Sequence, residues 1–396
     1  MKRILLMSLG SRGDMEPFLA LGETLQGQGH VIGFCFPAQF ETHAHSITPH
    51  FYPQDKSFID LVNSTEIKNI MGQVGSGWSR LKIVFSLLKK TKAVQEQMIL
   101  DQAAAVNAFK PDEIIFHIKC IYPVFWKLWY GGTVKLLSPI PALLHPVNEI
   151  PHVAFGAPKF KAWNRFTYTL ARFALIKQSI LGYGKTFLRK HQIKLTYQQL
   201  KAFYLQKLEV QYSVSPQLFM RPAYWPPQAK CVEFLQRKQP QNYKPDKGLS
   251  TFLAQHPNSL YVGFGSMSNA QPKKIAKDLI AVCQQLNIAL ILNTSWGGLE
   301  PPKSVPKSVF VIQDVPFDYL FPKVGMVVHH GGAGTTQTAL AYQKPQAIIP
   351  HIADQFFWNR QIAANGYGVL GFPIKKWQPA RFEALLQQLK DFTLST

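Results

Sequence analysis

The chain has 396 residues, of which 46% are hydrophobic and only 16% charged, a composition that supports packed cores and excludes global disorder. Lys and Arg number 43 against 22 Asp and Glu, a formal charge of +21, which favours an anionic partner such as a phosphorylated small molecule or an anionic membrane face, unless it only solubilises the protein. No Lys/Arg-rich block with interleaved aromatic residues and no zinc-finger spacing occurs, so we expect no nucleic-acid partner.

The length predicts two domains, and the cysteines predict a reducing compartment. The apolar run near the N-terminus is too short for a signal peptide, and no uncharged stretch approaches the roughly 18 to 20 residues of a membrane span. We therefore expect a cytoplasmic protein, soluble or attached peripherally to the inner membrane face. The four cysteines, none in CxxC spacing, are Cys35, Cys120, Cys231 and Cys283.

The N-terminal segment reads as a strand, a loop, a helix and a second strand. Residues 2–9 are a short apolar run that ends at Gly10, and Pro17 suits the first turn of a following helix. The apolar run "HVIGFCF" then predicts the next strand. This order is typical of a parallel α/β sheet.

The middle of the chain is helical and basic. "SRLKIVFSLLKKTKAVQEQMI" predicts an amphipathic helix, and the segment from Asn164 to Ile193 predicts one or two helices rich in aromatic and basic residues. Such helices either rest on anionic lipid or bury their apolar faces and solvate their lysines. "DEIIFH" and "VKLLS" predict two further strands.

A polar stretch with two prolines, residues 237–250, predicts a linker between an N-terminal domain, 1–236, and a C-terminal domain, 251–396. Strand and helix patterns alternate again after it, so the fold class is α/β in both domains.

The segment "HHGGAGTTQTAL" carries the first candidate site. A predicted strand ends at His330, and the glycines lead into a predicted helix, so free backbone N–H groups and the helix dipole favour a phosphate there. Gly331, Gly332 and Gly334 allow close approach, Thr335 and Thr336 can cap the helix or donate to phosphate, and His330 can donate a ring N–H. Such a turn can also be only a tight connection.

Asp354 and Gln355 follow the next predicted strand, at the same edge of the sheet. A carboxylate beside an amide suits sugar hydroxyls. Asp354 can instead be the N-cap of the helix that follows. In the other domain, Asp14 follows the first strand and is a candidate general base for a hydroxyl acceptor, unless it only orders its loop.

Several site classes are absent from the sequence. It contains no D-x-D pair, which argues against a metal-dependent sugar-nucleotide site of that type. It contains neither G-x-S-x-G nor G-x-x-x-x-G-K-[ST], which argues against serine hydrolases and P-loop NTPases.

Taken together, "GSRGDMEPFLALGETLQGQGH", "LYVGFGSM", "VPFDYLFP", "HHGGAGTTQTAL" and "ADQFFWNRQI" resemble the sterol glucosyltransferases and glycopeptide-antibiotic glycosyltransferases. The resemblance covers nearly the whole chain. It implies the GT-B fold, with two facing Rossmann-like domains, parallel sheets and an interdomain cleft. It also implies an inverting transfer without a metal or other cofactor, and the ending "DQFFW" leans the donor towards UDP-glucose.

The same resemblance assigns roles to individual residues. Asp14 matches the catalytic base. Plant-type members of the wider group carry a histidine base after the first strand, and this loop has none. The residues implied in donor binding are Ser11 and Ser266 near the diphosphate, Val315 at the base, His330, Gly332, Gly334 and Thr335 around the diphosphate, and Asp354 and Gln355 at the sugar.

The middle segment, which shapes the acceptor pocket in this fold, matches only loosely. An aromatic content of 13% predicts a lipophilic acceptor. Two alternatives stay open: a non-catalytic nucleotide-sugar or lipid-binding protein, and an epimerase of the same fold.

Overall fold

The structure is a computed structural model. It describes residues 1–10, 12–55, 77–141, 143–155, 159–237, 243–265, 267, 269–294 and 298–394, with the backbone alone for residues 77–90. Ser11 and Ser266, both predicted near the diphosphate, lie outside the described residues.

The chain forms two compact units. The first comprises Met1–His152, Pro158–Pro216 and Met220–Arg237, and the second comprises Val153–Ala157, Gln217–Phe219 and Lys238–Thr396.

The first unit contains a seven-stranded sheet in the order β3-β2-β1-β4-β5-β6-β7, with every pair parallel. Its strands are β1 (Arg3–Met7), β2 (Val31–Pro37), β3 (Phe51–Gln54), β4 (Glu113–Phe116), β5 (Thr133–Ser138), β6 (Glu209–Ser213) and β7 (Ala229–Val232). Its described helices are α1 (Arg12–Gly27), α2 (Glu41–His45), α3 (Gly77–Phe109), α4 (Tyr122–Tyr130), α5 (Lys161–Ala174), α6 (Lys185–Lys190) and α7 (Tyr197–Ala202), with a 3-10 turn at Ala38–Phe40 and π-helical turns at Leu175–Tyr183 and Phe203–Lys207.

The second unit contains a six-stranded parallel sheet in the order β10-β9-β8-β11-β12-β13. Its strands are β8 (Leu260–Gly263), β9 (Leu290–Asn293), β10 (Val309–Ile312), β11 (Met326–His329), β12 (Gln346–Ile348) and β13 (Gly368–Val369). Its described helices are α8 (Lys247–Gln255), α9 (Pro272–Gln285), α10 (Phe317–Leu320), α11 (Ala333–Ala341), α12 (Gln355–Ala364) and α13 (Pro379–Lys390), with 3-10 turns at Phe321–Lys323 and Ile374–Lys376.

Central strands in both sheets are buried on both faces, which explains their continuous apolar sequences. Leu5, Leu6 and Met7 of β1 are fully buried, as are Leu260 and Val262 of β8. Helices cover the sheets with their apolar stripes, as α9 and α13 do around Leu279 and Leu386 in the second unit. The cores therefore hold the carboxyl ends of the strands in fixed register.

Helix α1 begins earlier than the sequence predicts. The proline pattern placed its start at Pro17, whereas the helix starts at Arg12 and Pro17 lies inside it. An acidic residue, Asp14, occupies the first turn, where the positive end of the helix dipole favours it. Asp14 is thus part of a helix rather than of a loop.

Two bonded arginines hold the start of α1. Arg237 contacts Glu16 through Nε at 2.8 Å and Nη2 at 2.9 Å, and Arg12 Nε lies 3.1 Å from Glu16 Oε1. Burial would raise the pKa of Glu16, but Arg237 and then Arg12 outweigh it and hold the pKa below its usual value. This pairing fixes the turn that carries Asp14.

Six histidines are neutral, of which four are buried and two, His330 and His351, are half-buried. Burial is the main cause that lowers the pKa to about 4 for His117, His145, His152, His329 and His351, and to about 3 for His330. In the unfolded chain these rings take up protons below about pH 6.5. The unfolded state therefore binds more protons than the folded state between about pH 6.5 and 4.

We expect the free energy of unfolding to be level above pH 7 and to fall steeply as the pH drops from about 6.5 towards 4. Each ring contributes up to about 1.4 kcal/mol per pH unit in that window. Urea unfolding at pH 7.5, 6.5, 5.5 and 4.5 measures the slope. His145→Gln should reduce this slope by the contribution of one ring. A flat profile in the unmodified protein would contradict the lowered pKa values of these rings.

Candidate functional site

The carboxyl ends of two adjacent strands define the candidate site of the second unit. β8 pairs with β11, so that Gly263 lies opposite His329, although β9 and β10 separate them in sequence. From β8 the chain winds to one side, and from β11 it winds to the other. Ligands of open parallel sheets bind at such a reversal of strand order.

His330 lies in this crevice between two glycines. A Cβ atom at Gly265 would lie 2.9 Å from its Cε1, and one at Gly332 would lie 2.8 Å from its Nε2. Gly265 also has φ +58°, in the left-handed region. Neither glycine can therefore gain a side chain without displacing the imidazole.

The ring of His330 is neutral and has a buried nitrogen without a hydrogen-bond partner, Nδ1, within the described part of the chain. Burial, then His329 and His351, lowers its pKa to about 3, and a backbone contact with Gly263 that falls short of hydrogen-bond geometry opposes the shift. A buried polar atom left unpaired is costly, and a ligand that bonded to it would remove that cost.

The neighbouring ring, His329, fixes the glycine turn. Gly331 N–H donates to His329 Nδ1 at 3.1 Å, so the ring proton is on Nε2, which donates to Gln346 Oε1 at 2.9 Å. Gly331 itself has φ +92° and packs against Ile348. The turn is therefore held from two strands.

Helix α11 begins at this turn with free backbone donors. Gly332 is its N-cap residue, and no side chain among the described residues caps the helix. Thr336 Oγ1 donates back to the carbonyl of Gly332 at 2.9 Å, so it does not serve as a cap. Thr335 is half-buried, and the position of a Cβ on Gly334 has no atom within 4 Å. Unclaimed N–H groups beside open space suit an anion.

The loop after β12 brings Asp354 and Gln355 to the same sheet edge. Asp354 occupies the N-cap position of α12 without a side-chain capping bond, and its Oδ2 accepts the indole N–H of Trp358 at 3.2 Å. Gln355 Oε1 accepts from the backbone of His351 at 2.7 Å and of Ile352 at 3.1 Å. Gln355 thus braces its own loop, and its amide N–H2 group is what a ligand can use.

That loop contains a strained residue and is cross-linked to a neighbouring loop. Ala353, just before Asp354, has φ +47°, a conformation that costs energy outside glycine. His351 Nε2 lies 2.8 Å from Asn269 Oδ1, which connects the loops after β12 and β8. Val315, in the turn after β10, is half-buried against the core beside Phe317.

The first unit has a second candidate site at the equivalent reversal of its strand order. β1 pairs with β4, so that Met7 lies opposite Phe116. Asp14 Oδ1, from the turn after β1, lies 3.0 Å from Lys119 Nζ and 3.5 Å from His117 Nε2, both after β4. The sequence analysis identified Asp14 and missed the other two.

The absence of a side chain at Gly10 makes room for the carboxylate of Asp14. It has φ +138°, and a Cβ there would collide with the carboxylate of Asp14 and lie 2.8 Å from Lys119 Nζ. Ser8 Oγ donates to the backbone carbonyl of Asp14 at 2.8 Å. The side chain of Asp14 keeps 19% exposure, so it is accessible to a small ligand.

His117 is 3% exposed. Burial lowers its pKa to about 4, the charge of Lys119 lowers it further, and Asp14 opposes the shift. The ring is neutral at pH 7, and its Nδ1 has no hydrogen-bond partner among the described residues. The carboxylate of Asp14 is thus partly accessible to solvent, and the ring of His117 is buried next to it.

Two buried amides hold the loop of Lys119. Gln102 Oε1 accepts from the backbone of Ile121 at 3.2 Å and of Tyr122 at 3.1 Å. Gln102 Nε2 donates to Gln54 Oε1 at 2.9 Å, and Gln54 Nε2 donates to the carbonyls of Ser8 and Cys35. The loops after β1 and β4 are therefore tied to one network.

The described residues lack two further features. They contain no group of three or more His, Cys, Asp or Glu that could hold a metal ion. None of their helices is both long and apolar enough to cross a bilayer.

Two family models match parts of the chain, one in each unit. The glycosyltransferase family 28 N-terminal domain matches residues 4–110, and the erythromycin biosynthesis protein CIII-like C-terminal domain matches residues 267–394. The sterol 3-beta-glucosyltransferase UGT80A2 of Arabidopsis thaliana is 29% identical over 404 residues, which cover 98% of this chain and 61% of the relative. The chain thus spans about three fifths of the length of that curated relative.

Solved structures share the fold at low sequence identity. The glycotransferase of kitacinnamycin superposes with a TM-score of 0.66 at 15% identity, covering 98% of this chain and 90% of its own. The spinosyn rhamnosyltransferase SpnG complexed with thymidine diphosphate has a TM-score of 0.58 at 13% identity, covering 99% and 92%. The chain therefore has the GT-B fold, matches the family 28 and EryCIII-like glycosyltransferase domain models over parts of its length, and is a distant relative of the sterol 3-beta-glucosyltransferases.

Proposed function

We propose that this protein is an inverting, metal-independent glycosyltransferase that moves a hexose, glucose from UDP-glucose, onto a hydroxyl of a lipophilic acceptor such as a sterol, a lipid or an aromatic natural product. The observation that carries the proposal is the crevice between β8 and β11, where the buried, unpaired nitrogen of His330 lies beside the uncapped start of α11.

The donor diphosphate would lie against the N-terminus of α11. Backbone groups at Gly332, Gly334 and Thr335 and the ring of His330 would bond to its oxygens. Negative charge grows on this diphosphate as the sugar leaves. The helix dipole and fixed N–H donors stabilise such charge without the reorganisation that water requires, and they would do so in place of a metal.

The remaining donor contacts follow the sheet edge. Asp354 and the amide N–H2 of Gln355 would bond to hydroxyls of the sugar, and the backbone at Val315 would contact the base. Ser11 and Ser266 remain predictions near the diphosphate. SpnG is described as complexed with thymidine diphosphate, so a thymidine donor is the natural competitor to UDP-glucose in any assay.

Asp14 would act as the general base. Its carboxylate would take the proton of the acceptor hydroxyl as that oxygen attacks the anomeric carbon from the face opposite the diphosphate. The ammonium of Lys119 lies 3.0 Å away and would pair with this carboxylate in its ionised form, which is the form that accepts a proton.

The acceptor class rests on composition and on relatives. Aromatic residues are 13% of the chain, and the matched curated relatives are named for the 3-beta position of sterols. We also propose that the protein works at an anionic membrane surface, since its formal charge is +21. A lipophilic acceptor would be reached from such a surface.

Asp14→Asn should lower the rate of transfer by about 10²- to 10⁴-fold, the usual contribution of a general base, and leave the dissociation constant of UDP unchanged. Transfer is measured with UDP-glucose and TDP-glucose on a lipid extract, with products identified by mass spectrometry, and UDP binding is measured by calorimetry. Asp391→Asn, an exposed carboxylate near the C-terminus, is the matched control.

Other outcomes of the same assay separate the alternatives. Equal transfer by wild type and Asp14→Asn removes Asp14 from the mechanism. Donor binding without transfer by the wild type indicates a non-catalytic binding protein, and interconversion of sugar nucleotides without an acceptor indicates an epimerase.

Lys119→Met should move the acidic limb of the kcat/KM profile to higher pH, because the carboxylate loses the opposite charge beside it. Lys119→Arg keeps the charge and should keep the limb. Profiles measured from pH 4.5 to 9 test this. A limb that does not move in Lys119→Met would mean that another group sets it.

His330→Ala should lower kcat by about 10²- to 10³-fold, as removal of one preorganised donor does. The pKa of His330 is lowered to about 3, so the ring stays neutral and the loss should be equal at pH 6 and pH 8. Wild-type activity should survive EDTA. Activity that is lost in the chelator and restored by Mg²⁺ would contradict a metal-independent transfer.

A further inference from the structure

Helix α5 (Lys161–Ala174) has an inverted distribution of polarity. The side that it buries carries polar residues, with Asn164 1% exposed and Thr167 fully buried. Asn164 Nδ2 donates to the carbonyl of Asn148 at 3.0 Å, and the backbone N–H of His152 donates to Thr167 Oγ1 at 2.9 Å. The backbone of residues 148–152 thus forms hydrogen bonds with the polar side of α5, and these bonds hold the helix in place.

The opposite side of α5 is apolar and exposed. Phe166, Leu170 and Phe173 recur at the spacing of one helical face, and they are 48%, 38% and 52% exposed. Trp163 adjoins them, with its ring centroid 6.0 Å from that of Phe166. We call these four residues the aromatic face. A continuous exposed apolar stripe on a folded helix indicates an interaction surface.

The segment of the chain that carries this face has charges of one sign. Residues 150–208 contain no Asp or Glu. The basic residues in that segment are Lys159, Lys161, Arg165, Arg172, Lys177, Lys185, Arg189, Lys190, Lys194, Lys201 and Lys207.

Several of these cations lie beside the aromatic rings and are exposed. Lys159 Nζ lies 4.9 Å from the ring centroid of Trp163, and Lys161 and Arg165 are exposed on α5 itself. Lys177, exposed just after the helix, has its Nζ 5.5 Å from the ring centroid of Tyr197. Both ends of the aromatic face are therefore positively charged.

We propose that the aromatic face of α5 is the surface by which this protein docks on an anionic lipid bilayer, with the rings among the headgroups and acyl-chain ends and the cations at the lipid phosphates. Apolar rings flanked by single-sign basic residues on a helix that lies flat are the pattern of interfacial helices. Long lysine side chains reach the phosphates while their stems stay with the rings. This inference locates the membrane attachment proposed above.

The charge of this region indicates which partner binds the aromatic face. Each Lys or Arg near an anionic leaflet strengthens binding roughly fivefold, and the effect falls off within a Debye length. An apolar protein partner would need no such cations, and a second copy of this chain would bring like charge against like charge. An anionic bilayer matches the rings and the cations together.

The test is cosedimentation of the full chain with vesicles, without sugar nucleotide or acceptor. Vesicles of 70% phosphatidylcholine and 30% phosphatidylglycerol are compared with pure phosphatidylcholine, in low and in high salt. We expect binding to the anionic vesicles in low salt, at least tenfold weaker in high salt and at least tenfold weaker for the double variant Phe166→Ser, Phe173→Ser.

Matched variants separate this face from general stickiness and general charge. Tyr130→Ser removes another aromatic residue, 57% exposed, and should bind as wild type does. Lys161→Gln with Lys177→Gln should weaken binding at least tenfold, whereas Lys375→Gln with Lys376→Gln removes the same charge from the second unit and should have a smaller effect. Thermal unfolding confirms that each variant is folded.

Three results would overturn the proposal. The wild type fails to bind anionic vesicles in low salt, or it binds them and the serine double variant binds equally well, or the double variant abolishes a self-association of the chain without any vesicle binding. Because the readout contains no glycosyl transfer, each of these can occur while the transferase activity stands, and loss of that activity leaves this test unaffected.

Discussion

The hydrogen-bonded pairing of the first strand with the fourth in each parallel sheet is the constraint on which both sites depend. β1 pairs with β4, and β8 pairs with β11. In each case two loops that are far apart in sequence leave the same point of the sheet edge. One pairing places Lys119 beside Asp14, and the other places the glycine turn of β11 beside the loop after β8. The same topology therefore produces a charge pair in one unit and the proposed diphosphate site in the other.

At these sheet edges the glycines, which have no side chain, are as important as the polar side chains. Gly10 leaves room for the carboxylate of Asp14, while Gly265 and Gly332 leave room for the ring of His330. In a densely packed protein such space is set by the surrounding atoms to within a few tenths of an ångström. The polar groups can occupy these positions because the neighbouring glycines have no side chain.

The sequence predicted many of the strands, among them β1, β2, β4 and β5, and the glycine turn after β11, because each depends on a local pattern. It did not reveal His117 and Lys119, since their position beside Asp14 follows from a pairing between residues about 110 apart, such as Ile4 and Glu113. The strand order typical of this fold class would have pointed to the residues after "DEIIF". The start of α1 was predicted five residues late, because Pro17 reads as a first-turn residue when the Glu16–Arg237 contact cannot be seen.

The orientation of α5 was the second feature that periodicity could not decide. A helical pattern of apolar residues tells which side chains share a face, and not whether that face is turned to the core. Here the hydrogen bonds of Asn164 and Thr167 to the 148–152 segment decided it. The buried side of α5 also includes the ring of Tyr168, which is 1% exposed, so the helix buries one aromatic ring and leaves its other large apolar side chains facing outward.

The paired amides of Gln54 and Gln102 have a consequence for how such an enzyme can diversify. They join the ends of β1, β2 and β3 to α3 and to the start of α4 through bonds that are all buried. A shift of the Lys119 loop would break two of them at once, with no water at hand to replace them. Substitutions that change the substrate are therefore tolerated less well in this loop than in segments whose backbone makes fewer hydrogen bonds.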